Sequence, residues 1–339
     1  MKLLTRQDFR ESALKRDRNR CVICGNPATA VHHIIDRALF DDGGYYLANA
    51  ASLCDQHHLE AEWTTLSCDA IREAAGITEL CLPEHLSTSS GERYDKWGNP
   101  WHTNGGKFRG ELWWEESVQK ALGDGGVLKE FSPYSKFPRS MHLPWSPNLH
   151  NDDRVITSLD ALQNEEVVVT LKMDGENTSC YRDHIHARSM ESVHHDSQSW
   201  VKALHGRFQY EIPVDWIIHL ENMYAFHSIH YHELESYAYL FGIRECGTFL
   251  SWDETVSYSQ MLGLTLVPVL YRGPWDEAKL HEIERGLDPG KDEGYVVRST
   301  GRIKTSLWRK LAAKYVRNKH VTSGSHWRSR AVIPNLLKK

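Results

Sequence analysis

The stretch Val167–Asn177, VVVTLKMDGEN, constrains this chain more than any other. Val167–Leu171 is β-branched or apolar throughout and reads as a buried strand. The strand ends on Lys172, and Asp174-Gly175 supplies a tight turn directly behind it. An amine is thereby held at the mouth of a sheet, on a rigid strand, beside backbone that can approach a phosphate. A surface lysine in a hairpin turn satisfies the same residues, so the rest of the chain has to decide between them.

A chain of 339 residues with 40% hydrophobic content suggests about two domains, each able to bury a core. No apolar run approaches about 18 residues, the length that would indicate a membrane span. The start, MKLLTRQDFRES, lacks the apolar core of a signal peptide, so a cytoplasmic placement is expected. Seven cysteines is an odd count, and that compartment disfavours disulfides; paired cysteines here point to metal. The formal net charge of −5 argues against a general nucleic-acid binder. Its distribution says otherwise: residues 302–339 hold 11 Lys/Arg and no Asp/Glu, leaving 29 basic against 45 acidic residues upstream. An acidic body with a basic tail suits a site that grips phosphates locally. A merely solvated tail is the alternative.

Cys21-x-x-Cys24 and Cys54-x-x-His57, with 29 residues between the pairs, fit a closed Cys₃His tetrahedral zinc site. A region this small needs such a staple because it buries little apolar surface. His32-His33 sits in a strand-like run, Thr29–Ile35; Asn49 stands five residues before Cys54, and His58 follows His57. The Asp41–Gly44 turn separates the His pair from the Asn. Over roughly residues 15–65 this arrangement resembles the HNH endonucleases, whose fold is a β-hairpin and a helix around one catalytic metal. The resemblance implies that His33 is a general base for water, that His32 and His58 hold a divalent ion, and that Asn49 orients the base or its metal. His32 stands where many members carry Asp, which moves metal preference toward softer ions. A zinc module that binds nucleic acid without cutting it is the alternative.

Residues 67–126 read as a connector. Ser67 caps a short helix stopped by Gly76, Thr78–Gly110 is irregular and rich in Gly, Pro, Ser and Asn, and Glu115–Leu122 looks helical. The Gly-rich break Gly123–Gly126 marks the boundary.

Beyond it, Lys172 gains company. Arg188-Ser189 closes a hairpin-like segment sixteen residues on; strand-like Trp216–Leu220 delivers Glu221-Asn222; Tyr237–Ile243 delivers Phe241; Glu293 leads the alternating strand EGYVVR. Lys310 and Lys314, four apart, share one face of the helix-like SLWRKLAAKYV. Lys-x-Asp-Gly followed by these elements in this order resembles the covalent nucleotidyltransferases, the polynucleotide ligases and mRNA capping enzymes. DNA ligases and capping enzymes carry an oligonucleotide-binding barrel after the last lysine motif, and only 25 residues follow Lys314 here. HLPWSPN and KYVRNKHVTSGSHW instead look like a compact bacterial and phage RNA ligase family, over roughly residues 129–330. Leu220, where that family usually has Gly, and Phe226, where Lys is common, depart from its pattern.

The resemblance implies that ATP adenylylates Lys172 with Mg²⁺ or Mn²⁺ assisting, and that Lys314 or Lys310 neutralises the α-phosphate. Glu221 and Asn177 would meet the ribose, Phe241 would stack on adenine, Glu293 would sit in the metal shell, and Arg188 would hold ribose or acceptor phosphate. The expected fold is α+β: an HNH-like ββα-metal zinc module (1–66), the connector (67–126), and a nucleotidyltransferase domain of antiparallel sheets with flanking helices (127–339). The expected function is an ATP-dependent RNA ligase fused to an HNH-type nuclease module, acting on RNA or a nicked RNA/DNA duplex and not on membranes. The alternative is a DNA or hybrid nick-sealing ligase whose HNH module only binds nucleic acid.

Overall fold

The computed structural model describes residues 1–86, 93–101, 105–147, 149, 153–188, 195–317 and 331–339. They form two compact units, Met1–Ser135 and Lys136–Lys339. Ser189, Asn148 and the stretch 318–327 of the KYVRNKHVTSGSHW motif lie outside the described residues.

In the first unit, the strand Ala30–His33 pairs antiparallel with Ala50–Leu53, and the helix Asp55–Glu62 follows directly. A helix, Arg6–Arg16, precedes them; the Thr5 side chain caps it by accepting from the Asp8 N–H. The segment 67–126 is more than a connector. Cys68, Ile71, Trp113, Val118 and Leu122 pack in one core with Ile34, Ile35, Leu39 and Leu53, and Phe131 joins them. Ser67 caps the helix Cys68–Ala74 as expected, and that helix is what presents Ile71 to the core.

The second unit is built on two sheets. Among the described residues, the five-stranded one runs in the order Val269–Pro274, Glu166–Lys172, Gly294–Ser299, Ala312–Val316, Met141–His142. The seven-stranded one centres on Trp216–Asn222, flanked by Ala238–Glu245 and Glu176–Cys180. Pairing is antiparallel except at Thr265–Leu266 and Met141–His142, which run parallel to their neighbours.

Val167 and Val169 point into one core, with Leu162, Leu280 and Tyr295, while Val168 points into the other, with Met173, Met223 and Trp252. A strand covered on both faces needs an unbroken apolar run rather than alternation, and VVVTL is that run. Asp174-Gly175 does not close a hairpin. It carries the chain from the five-stranded sheet, which ends at Lys172, into the seven-stranded one, which begins at Glu176. Gly175 is required by closeness: a Cβ there would lie 2.6 Å from the Met223 sulfur and 2.7 Å from the Asn222 carbonyl oxygen.

The helix-like reading of SLWRKLAAKYV is corrected. Trp308–Leu311 is a single helical turn, and Ala312–Val316 is a strand between Gly294–Ser299 and Met141–His142. Lys314 pairs with Val296 on one side and His142 on the other, so it shares no helix face with exposed Lys310. The ladder bonds on both sides outweigh the local helix propensity.

Candidate active site and metal centres

Lys172 ends its strand against Glu293, with which it forms an ion pair. Burial would lower the pKa of this lysine, but the carboxylates of Glu293, Glu221 and Asp174 prevail and raise it. The protein without nucleotide thus holds Lys172 as an ammonium, whereas its expected role asks for a free amine. Glu221 is pushed up to about 8 by burial first, against the pull of Lys172, and its Oε1 accepts from the Gly175 N–H at 3.2 Å. Asn177 sits directly across the ladder from Glu221. Lys314 is pushed below its ordinary value by burial and then by the charge of Lys172, with Arg188 adding to the repulsion; its Nζ lies 3.4 Å from Asp153 Oδ1. Lys172 therefore feels the charge of Glu221 and Glu293, and Lys314 feels that of Lys172, although Lys172, Glu221 and Lys314 lie in three strands of two sheets and Glu293 directly precedes a fourth, Gly294–Ser299. Lys310 is exposed and outside this group.

Phe241 lies beside the same face. The His219 ring stacks near it at 6.1 Å and 23°, and Phe137 meets it edge-on at 5.2 Å.

Asp174, whose side chain sequence reasoning passed over, anchors the nucleophile turn. Its Oδ2 accepts from the Ser228 N–H (2.8 Å), the Ser228 hydroxyl (2.8 Å) and the Ile229 N–H (2.7 Å). Asp174→Ala leaves these donors buried without that acceptor, so the second unit is expected to lose about 3 kcal/mol of stability. Urea unfolding with matched circular dichroism and fluorescence measures it; a loss under about 1 kcal/mol would show that the anchor is dispensable.

In the first unit the donor atoms of Cys21, Cys24, Cys54 and His57 all lie within 4.8 Å of one another. The Cys24–Cys54 sulfurs are 3.8 Å apart, and His57 Nδ1 is 3.5 Å from Cys21 Sγ and 3.1 Å from Cys54 Sγ. Zinc bond lengths give tetrahedral edges of about 3.8 Å for S···S and about 3.5 Å for S···N, so the donor set fits. Burial pushes the Cys21 thiol up, but the backbone N–H groups of Cys54, Cys24 and Ile23 outweigh it and bring it to about 7.

A second group joins His32, His58 and Glu62 within the same 4.8 Å limit. His32 is 1% exposed, so its environment is effectively dry. Its Nδ1 lies 3.4 Å from Glu62 Oε1, and His58 Nε2 lies 3.7 Å from the same oxygen. Burial, then the charge of Lys96, lowers His32 to about 4. Glu62 is brought down to about 2 because His32 and Lys96 overcome its burial. Two imidazoles and one carboxylate make a borderline-soft set. Glu62 went unread in the sequence although it stands four residues after His58 on one helix, a spacing that places both side chains together. Lys96, 3.2 Å from Glu62 and 3.4 Å from Asp36, gave no sequence signal.

His33, next to His32 on the same strand, stacks on Phe9 at 4.4 Å, with Tyr45 edge-on at 5.2 Å. Burial and then Lys96 lower it to about 4. Asn49 is committed to backbone: its Oδ1 accepts from the Ile35 N–H, and its Nδ2 donates to the carbonyls of Ile35 and Gly44. It braces the loop instead of bonding the His33 ring or a metal donor.

Residues 165–316 match the RNA ligase family. No curated protein matches the chain. Among solved structures it is similar to an RNA ligase mutant of Naegleria gruberi with AMP and Mn (18% identity, 55% of this chain and 57% of that one, TM-score 0.38). It is also similar to an archaeal ATP-dependent RNA ligase (16%, 54% and 48%, TM-score 0.39). A third is a putative ATP-dependent DNA ligase from Aquifex aeolicus (19%, 54% and 50%, TM-score 0.36). The matched region spans roughly half the length of each of these proteins. Among the described residues, no helix is long and apolar enough to cross a membrane.

Proposed function

We propose that this chain is an ATP-dependent RNA ligase in which Lys172 takes AMP from ATP, passes it to a 5′-phosphate end, and a 3′-hydroxyl displaces it to seal the strand. The convergence of Lys172, Glu221, Glu293 and Lys314 inside the segment that matches the RNA ligase family carries this reading. In the first step the Lys172 Nζ lone pair forms a bond to the α-phosphorus, and the bond to pyrophosphate breaks. Only the unprotonated amine can attack. The carboxylates around Lys172 oppose this in the free protein, so positive charge has to arrive with the nucleotide or already stand near it. Lys314 and Arg188 are the standing charges. Glu293 offers a carboxylate of the kind that suits the shell of a hard divalent ion. When bound, Mg²⁺ or Mn²⁺ supplies neutralisation of the phosphate charge. Glu221 and Asn177 accept the ribose hydroxyls, and Phe241 offers its face to adenine.

Incubation with α-labelled ATP and Mg²⁺, then digestion, should place acid-labile label on the peptide carrying Lys172. End-joining on nicks with RNA or DNA on each side then separates an RNA ligase from a DNA or hybrid nick sealer. A chain that takes no label is not this enzyme.

For the first unit we propose a structural zinc on Cys21, Cys24, Cys54 and His57, and a second divalent ion on His32, His58 and Glu62 with His33 as the base of an HNH-type nuclease. The buried His32, whose ring nitrogens lack a well-formed hydrogen bond, favours the second ion. Mn²⁺- or Ni²⁺-dependent cutting of RNA or plasmid DNA should fall about a hundredfold in Glu62→Ala and His58→Ala, the scale of losing one metal ligand or its support. Wild-type protein that binds nucleic acid and cuts neither would make the module a binding device only.

A further inference from the structure

The loop that follows Glu221, residues 223–237, has few ladder bonds of its own, yet it holds the turn behind Lys172. What holds the loop is the segment Ile333–Lys338. Asn335, 0% exposed, lies at its centre. Its Nδ2 donates to the carbonyls of Met223 (2.7 Å) and Ala225 (3.3 Å), and its Oδ1 accepts from the Tyr231 N–H (2.9 Å). Its own N–H donates to the Tyr224 carbonyl (2.9 Å), and its carbonyl accepts from the Tyr237 hydroxyl (3.0 Å). Phe226, Leu234 and Leu336 add backbone bonds, to Ile333 (2.7 Å), Leu336 (3.0 Å) and Tyr231 (2.9 Å) respectively. The loop in turn grips the nucleophile turn: the Tyr231 hydroxyl accepts from the Asp174 N–H at 3.2 Å, Ser228 and Ile229 bond Asp174 Oδ2, and Met223 packs against Gly175.

We propose that Asn335 is a positioning residue for Lys172, acting through Tyr231 and Met223 on Asp174-Gly175. This rests on the reading of Lys172 as the AMP acceptor. The amide of Asn335 is matched donor for acceptor on all sides, so it defines one loop conformation and one direction for the strand end that carries the amine. An in-line attack needs that direction within a fraction of an ångström, and a misplacement of about 1 Å costs on the order of a hundredfold in rate.

The test uses the full chain and two assays. Asn335→Asp keeps the shape but turns an oxygen toward the Met223 and Ala225 carbonyls. Single-turnover formation of lysyl-AMP at saturating ATP should fall about a hundredfold, with half-saturation by ATP changing less than about threefold. Sealing of a strand already carrying a 5′-adenylate does not use the Lys172 amine and should also change less than about threefold. Tyr231→Phe, which removes only the hydroxyl bonded to Asp174, should shift the two assays in the same unequal way by about tenfold. Equal falls in both assays would mean that Asn335 merely supports the fold, and unchanged lysyl-AMP formation would mean that it does nothing for the amine; either overturns the proposal. A wild-type chain that forms no lysyl-AMP would instead overturn the ligase reading on which it rests.

Discussion

Lys172→Ala is expected to abolish labelling by α-labelled ATP, lowering it by at least about four orders of magnitude, as loss of a covalent nucleophile does. Neither Lys314 nor Lys310 is placed to replace it. Lys314 is held by its own strand and faces Asp153, and Lys310 is exposed on the helical turn before that strand. Lys172→Arg is the sharper control. Guanidinium keeps the charge and the ion pair with Glu293 but does not deprotonate, so it should label no better than alanine. Glu293→Gln separates charge from nucleophile in the other direction: the amine loses the largest influence holding its proton, yet the site loses an oxygen suited to the metal. Quantifying protein-bound label after denaturation measures all three. Label persisting in Lys172→Ala would move the acceptor elsewhere.

The second large effect concerns the first unit. Cys21→Ser is expected to remove the zinc and unfold this unit, because structural zinc contributes about 10–16 kcal/mol of apparent binding free energy that is also folding free energy. The core around Leu53 and Ile34 is tied to the knuckles: Cys21 itself lies in it, and Cys54 is the N-cap residue of the helix that carries His57 and His58. Elemental analysis should find about one zinc per wild-type chain and none in the variant, with protease cleavage spreading across residues before Ser135. Freshly purified wild-type protein without zinc, or a variant as protease-resistant as wild type, would overturn this. Chelation of wild-type protein should reproduce the variant.

Local chemistry in the sequence was enough to read several elements. VVVTL reads as a buried strand, and the Lys172 that ends it follows from where the apolar run stops. The paired Cys and His spacings place four donors on two knuckles because each pair closes its own short loop. Glu221 is legible as the polar end of an apolar strand, Trp216–Asn222. Asn49 was legible as a residue with a task, but its partners were not: its buried amide bonds the Ile35 and Gly44 backbone, and nothing in its flanking residues says which partner it takes.

The sequence by itself determined which residues are proposed to carry the chemistry and in what order they stand, because strand periodicity, turn residues and ligand spacings are set within a few positions of one another. Only the tertiary structure decided how they combine. Lys314 lies in a strand because ladders with Gly294–Ser299 and Met141–His142 outweigh a local helix preference, and the Lys172 pKa is raised because Glu293 and Glu221 arrive from distant parts of the sequence. Residues 67–126 belong to a core because Ile71 and Trp113 find Ile34 and Leu53. Asn335 reaches the loop that holds the Lys172 turn from more than 100 positions away. Such pairings depend on which surfaces meet when the chain closes long loops, and no local window of sequence contains that information.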